Sequence, residues 1–206
     1  MDNTQHNFIT VQGLKLHLAE LGSGHGPNVV LFLHGFPEIW YSWRHQLVAV
    51  ANAGFRAVAP DYRGYGLSDP PPEPEKATFA DLISDVVAII DHLGVNKVFV
   101  IGKDTGGLVA NFFAVLHPDR VPAWAMHEEE FGLTDPKLEA PALLIIGCKD
   151  YILKFPGMED YIKSGKVKDV VPNLDTVYLS ERSHFAQKQS PELVNELILG
   201  FIKVHS

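Results

Sequence analysis

Three short apolar runs, Val29–Leu33, Phe55–Ala59 (broken only by Arg56) and Val98–Ile101, constrain this chain more than any other feature of it. Turn-forming residues bound them, and an apolar run of that kind reads as a strand covered on both faces. Such strands belong to parallel sheets, which need helical crossovers to join them. The crossovers are visible in the sequence. Phe79, Leu82, Ile83, Val86, Val87, Ile90 and Leu93 recur at helical spacing, opened by a Thr78-x-x-Asp81 capping pattern and closed at Gly94. A second helix is expected from Leu108 to about Leu116. A last one has Ser190 as its N-cap, Pro191 in its first position, and Leu193, Val194, Leu197, Ile198, Phe201 and Ile202 along one face. Val121–Met126 and Ala142–Ile146 read as further strands. Phe8–Gln12 and Leu14–Leu21, separated by Gly13, read as a hairpin or a pair of edge strands. Strands alternating with helices predict an α/β fold with a doubly wound, mostly parallel sheet. In such sheets the chemistry sits at the C-terminal ends of the strands.

The chain has 206 residues, enough for one substantial domain and barely enough for two. A net charge of −8, with no basic stripe beyond a short Lys163–Lys168 patch, argues against nucleic acid or an anionic membrane as partner. Cys148 is the sole cysteine, so an internal disulfide and a cysteine-built zinc site are excluded. Met1–Gly22 is polar and alternating, without the apolar core of a signal peptide. No segment has the length of a transmembrane helix, and Val204-His205-Ser206 is not a peroxisomal address. A cytoplasmic protein is expected.

Chemistry enters with Gly102-Lys103-Asp104-Thr105-Gly106-Gly107, between the strand Val98–Ile101 and a helix. This is the small-x-nucleophile-x-small pattern of a sharp strand–turn–helix elbow, with Asp104 in the nucleophile position. By itself the pattern would also suit a Gly-rich turn whose aspartate caps a helix. Three further signals fall in a definite order around it. His34-Gly35-Phe36-Pro37-Glu38 follows a buried strand, where such folds build half of an oxyanion hole, and the main-chain N–H groups of Phe36 and Thr105 are the expected donors. Asp150 follows the strand Ala142–Ile146, and His184 follows the strand-like Thr176–Leu179. Each residue alone is unremarkable. The order nucleophile, acid, histidine at strand ends is that of the α/β-hydrolase fold.

These residues resemble the plant soluble epoxide hydrolases of that superfamily. The resemblance rests on His34–Glu38, Trp40-Tyr41-Ser42-Trp43-Arg44, Pro60–Ser68, Gly102–Asp104 and Phe155-Pro156-Gly157, in order along almost the whole chain. It implies that Asp104 is an alkylating nucleophile, His184 the base and Asp150 its orienting acid. Phe36, Thr105, His34, Trp40 and Tyr151 are the candidates for oxyanion and substrate binding. It also implies a small hydrophobic organic substrate, an epoxide opened to a vicinal diol, with no metal and no organic cofactor. Thr105 stands where relatives commonly carry an aromatic residue, and this disfavours the related haloalkane dehalogenases, which place a halide-binding tryptophan there. Arg182 before Ser183-His184 is a smaller departure.

One departure is large. Family members insert a helical cap after the strand that here ends near Met126, whereas the stretch near 127–139 has the length of a loop. Residues 1–206 are therefore expected to form a single hydrolase core without a cap. The cap tyrosines that protonate the opening epoxide in relatives have no counterpart among Tyr41, Tyr62, Tyr65, Tyr151, Tyr161 and Tyr178. Two consequences are expected: activity that is reduced or altered, and an apolar face around Phe36, Trp40, Trp124 and Phe131 through which a homodimer would form. A non-hydrolytic cyclase or lyase, or a ligand-binding protein, is the alternative reading.

Overall fold

The expected strands form the middle of an eight-stranded sheet. The computed structural model describes residues 3–22, 28–122, 124–125 (main chain only) and 138–206. In chain order the strands are β1 (Gln5–Val11), β2 (Leu14–Leu21), β3 (Val29–Leu33), β4 (Arg56–Pro60), β5 (Phe99–Gly102), β6 (Trp124–Ala125), β7 (Ala142–Gly147) and β8 (Leu174–Leu179). They lie in the order β1-β2-β4-β3-β5-β6-β7-β8. β2 is antiparallel to β1 and to β4, and the pairings from β4 onward are parallel. The sheet is thus doubly wound and mostly parallel, as the alternation of elements requires.

β1 and β2 are the hairpin, joined by Gln12 and Gly13 at φ 50° and 83°. Positive φ at both central residues is the type I′ geometry that matches strand twist, and Gly13 supplies half of it without strain. β1 begins three residues before the expected Phe8, because Gln5, His6 and Asn7 pair with β2 while exposed and leave no apolar alternation to read. β6 is shorter than the expected Val121–Met126, and Met126 lies outside the described residues.

The helices are α1 (Arg44–Asn52), α2 (Phe79–His92), α3 (Thr105–Leu116), α4 (Met158–Lys163), α5 (Ala186–Gln189) and α6 (Pro191–Val204). The capping box of α2 is formed on both sides, Asp81 N–H to Thr78 Oγ1 at 3.3 Å and Thr78 N–H to Asp81 Oδ2 at 2.8 Å. α1 carries little periodicity to read, since one of its three buried residues is Gln46. α3 starts three residues before the expected Leu108, because Thr105-Gly106-Gly107 are poor helix formers held by the elbow. Ser190 precedes α6 but makes no capping bond; its hydroxyl accepts from Arg182 Nε instead.

Strand alternation splits the core into two layers. Val29, Leu31 and Leu33 of β3 pack with α2 and α3 through Val86, Ile90, Val109 and Phe113. Val30 and Phe32 pack on the other face with α1 and α6 through Leu47, Val50, Ile198 and Ile202. All five residues of β3 are 0% exposed, and burying each such side chain stabilises by about 1.5–3 kcal/mol. This rigid centre fixes the ends of β3 and β5, where the functional groups gather.

Candidate active site

β5 delivers Asp104 through a turn that admits no side chain on either side. A Cβ on Gly102 would lie 2.2 Å from the Gly106 carbonyl oxygen, and one on Gly106 would lie 2.2 Å from that of Leu33. Asp104 itself has φ 55° and ψ −129°, unusual for a residue with a side chain. Main-chain bonds hold it there: its carbonyl accepts from Gly107 N–H at 2.8 Å and Leu108 N–H at 3.2 Å. The loop after β3 reaches Asp104 because Gly35 lacks a Cβ, which would stand 2.7 Å from that of Asp104.

The two carboxylate oxygens of Asp104 have different surroundings. Oδ1 accepts from the Phe36 N–H and from the Thr105 hydroxyl, each at 2.9 Å. Oδ2 faces His184 Nε2 at 3.3 Å. On the far side of the imidazole, Nδ1 stands 3.1 Å from both oxygens of Asp150. Asp150 is held in turn by the Ile152 N–H at 3.1 Å. The His184 loop is anchored by a reciprocal pair, Ser183 N–H to Gln189 Oε1 and Gln189 Nε2 to Ser183 Oγ, both 2.9 Å.

Of the residues singled out from sequence, Asp104, His184, Asp150, Phe36, Thr105 and Tyr151 come together. The Tyr151 hydroxyl is 3.5 Å from His184 Nε2, and the two rings lie 4.7 Å apart. His34 stands beneath the loop rather than at its surface: it is 1% exposed, its Nδ1 donates to the Gly35 carbonyl at 2.9 Å, and its Nε2 accepts from Tyr62 N–H at 3.2 Å. It shapes the turn that carries Phe36. Trp40 is placed elsewhere, with His6, His17 and Tyr41 as ring neighbours and its main-chain N–H donating to Asp61 Oδ1 at 2.8 Å.

Two features escaped the sequence reading. One is the Thr105 hydroxyl, since only the main-chain N–H of that residue was expected to serve. The other is an ion network that ties three loops together. Lys103 Nζ meets Glu38 Oε2 at 3.0 Å, Lys188 binds the other Glu38 oxygen, and the Phe185 ring lies 4.4 Å from Lys103 Nζ. Glu38 belongs to the loop after β3, Lys103 to the elbow and Lys188 to α5 behind His184. Glu38 lies within the His34–Glu38 segment and Lys103 beside Asp104, but nothing local in the sequence pairs them.

The electrostatics follow from this packing. Burial pushes the Asp104 carboxyl upward, yet the bonds from His184, Phe36 and Thr105 outweigh it and hold the group well below the usual carboxylate range. Burial pulls His184 down, but its bonds to Asp104 and Asp150 raise it to about 9. At neutral pH the site therefore holds a carboxylate facing an imidazolium. Burial, then Lys188 and Lys103, act on Glu38 in opposite senses, and the lysines prevail, so it stays ionised.

A small, partly open cavity of about 70 Å³ lies behind His184, lined by Trp43, Leu143, Ile145, Asp150 and Ile198 among others. Asp104 is not among its lining residues and lies instead beside an exposed rim. That rim is apolar and open: Phe36 is 63% exposed, Tyr151 49% and Phe155 54%. Trp40 is half-buried, and the side chains of Trp124 and Phe131, expected on the same face, lie outside the described residues. Among the described residues no helix is long and apolar enough to cross a membrane.

A mostly parallel sheet whose elbow presents an acidic side chain to a histidine backed by a second acid is the architecture of α/β hydrolases. Residues 28–143 match the family described as alpha/beta hydrolase fold, and the chain belongs to it. It is similar to Epoxide hydrolase 3 of Siraitia grosvenorii, 47% identical over 138 residues, which is 67% of this chain and 43% of that protein. It is 41% identical over 164 residues to Epoxide hydrolase 1 of the same plant, covering 78% of this chain and 51% of the relative. The chain thus spans 43% and 51% of the lengths of these two curated relatives. Among solved structures, an epoxide hydrolase from Vigna radiata superposes with a TM-score of 0.90 at 26% identity, over 98% of this chain and 99% of that one.

Proposed function

We propose that this chain is an epoxide hydrolase core that opens small hydrophobic epoxides to vicinal diols through an ester on Asp104. The observation that carries the reading is the division of labour at Asp104: Oδ1 is held by donors while Oδ2 is left toward His184. The family membership and the epoxide hydrolase relatives support it.

A carboxylate suits attack on a saturated carbon, because the ester it forms can then be cleaved at its own carbonyl. Oδ2 attacks an epoxide carbon, the carbon–oxygen bond breaks, and the ring oxygen leaves as an alkoxide that must be protonated. Oδ1 becomes the ester carbonyl oxygen, already seated among the Phe36 and Thr105 donors. Esterification removes the charge that favours the imidazolium, so His184 becomes a base when one is needed. It takes a proton from water, the hydroxide adds to the ester carbonyl carbon, and the charge developing on Oδ1 is met by donors in place; losing one such donor typically costs about 3–4 kcal/mol. Collapse expels the diol and restores the carboxylate. Residues 126–141 separate β6 from β7, which supports a core without the inserted cap and, with it, slower or altered turnover.

Incubation with styrene oxide in heavy-oxygen water tests the reading. Repeated turnover should yield diol and place the label in the Asp104 carboxylate; the absence of both diol and label would rule it out.

A further inference from the structure

The reaction proposed above needs a proton for the departing oxygen, and residues 126–141, where a cap would be inserted, contain no tyrosine. The core supplies one. We infer that Tyr151 protonates the opening epoxide and is itself reprotonated by His184, an inference that rests on the epoxide hydrolase reading.

Geometry places this phenol at the reacting atoms. Tyr151 follows Asp150 directly and opens the short turn Tyr151–Lys154, which the Asp150 side chain caps by accepting from the Ile152 N–H. That cap holds the Tyr151 ring 4.7 Å from the imidazole and edge-on to Phe155 at 6.2 Å. The hydroxyl lies 3.5 Å from His184 Nε2, which lies 3.3 Å from Asp104 Oδ2. The phenol and Oδ2 thus flank the same ring nitrogen, and an epoxide whose carbon contacts Oδ2 with its oxygen turned toward Tyr151 would meet the phenol. Separations of this size shorten when substrate packs against the groups. With 49% of the residue exposed, the ring forms part of the open rim that a substrate must touch. Tyr62 and Tyr65, in contrast, pack on the buried His34.

The protons balance. As Oδ2 forms its bond to carbon, the carbon–oxygen bond breaks and the oxygen takes the Tyr151 proton. The tyrosinate recovers a proton from the Nε2–H of the imidazolium, leaving an alcohol, a neutral phenol and a neutral imidazole. Water then returns a proton to His184 during ester hydrolysis, and the diol leaves the enzyme as it began. Burial and the charges of Asp104 and Asp150 keep the Tyr151 phenol protonated at neutral pH, while an alkoxide is far more basic than a phenolate. The relay also prepares the second step, because His184 is delivered in the neutral form that can accept a proton from water.

Tyr151→Phe tests the inference in the full chain with styrene oxide, by rapid quenching and mass measurement of the Asp104 ester. Alkylation should slow by roughly 10²–10⁴-fold, the usual contribution of a general acid, while breakdown of preformed ester is unaffected. An epoxide with an electron-withdrawing substituent, whose alkoxide needs a proton less, should lose less. Tyr151→His keeps a donor and should recover part of the alkylation rate with a new pH dependence. Unchanged alkylation in Tyr151→Phe, a loss confined to ester breakdown, a histidine variant no faster than phenylalanine, or an equal loss in Tyr41→Phe would overturn the inference. A wild-type protein that forms no Asp104 ester sinks the hydrolase reading itself; one that forms it and is indifferent to Tyr151 sinks only the relay.

Discussion

Replacing Asp104 by Asn removes the charge facing His184 while keeping the size of the side chain. Because Oδ1 is held by the Phe36 N–H and the Thr105 hydroxyl, the amide nitrogen would take the position toward His184 Nε2. A donor there favours the neutral imidazole. At 3.3 Å and an effective dielectric constant near 20 the lost attraction is about 5 kcal/mol before solvation is counted. The net effect is smaller because burial opposes the charged ring: raising His184 from 6.5 to about 9 corresponds to roughly 3 kcal/mol, shared between Asp104 and Asp150. The folded value lies above the unfolded one, so this stability is fully present below pH 6.5 and is lost as the pH rises through about 9. The depressed carboxyl of Asp104 is the same pair seen from its other partner, lost at the acid end as the pH falls through its folded value, and it is counted once. The wild-type His184 ring signals should titrate near 9 by NMR, and those of Asp104→Asn well below it. Urea unfolding should show the wild type losing stability between pH 6.5 and about 9, and the variant losing less. A variant whose midpoint stays near 9 would refute the reasoning, and with it the idea that an ester on Asp104 turns His184 into a base.

Thr105→Val removes the hydroxyl bonded to Oδ1 but keeps the main-chain donor. A hydrogen bond to a charged oxygen is worth about 1.5–3 kcal/mol, so ester breakdown in single-turnover measurements should slow about tenfold to a hundredfold; an unaltered rate would show the hydroxyl to be idle. Gly102→Ala would place a Cβ 2.2 Å from the Gly106 carbonyl oxygen. It should destabilise by about 4 kcal/mol or more, so a melting temperature like the wild type's would contradict the elbow geometry. The open rim of Phe36, Tyr151 and Phe155 should bring two copies together, and light scattering that finds a monomer at high protein concentration would count against that pairing.

Much of this molecule is legible in its sequence, and the reasons are local. Periodicity is a property of neighbouring residues, so β3, α2 and α6 stand where the apolar pattern puts them. Gly102 and Gly106 announce the elbow because a turn that tight excludes side chains, and the order Asp104, Asp150, His184 is read along the chain. α1 and the polar start of β1 were missed for the converse reason: tertiary pairing stabilises them without leaving a pattern. What the tertiary structure alone decided depends on distance through space. Lys103 and Glu38 are 65 residues apart in sequence, and Lys188 and Glu38 are 150, yet they join three loops around one carboxylate. Likewise only packing selects Tyr151 for the side of His184, gives Oδ1 and Oδ2 of Asp104 different partners, and raises the imidazole to about 9. Local propensity places each residue on its element, but hydrogen bonds and charge interactions act between atoms that the chain brings together only once it has folded.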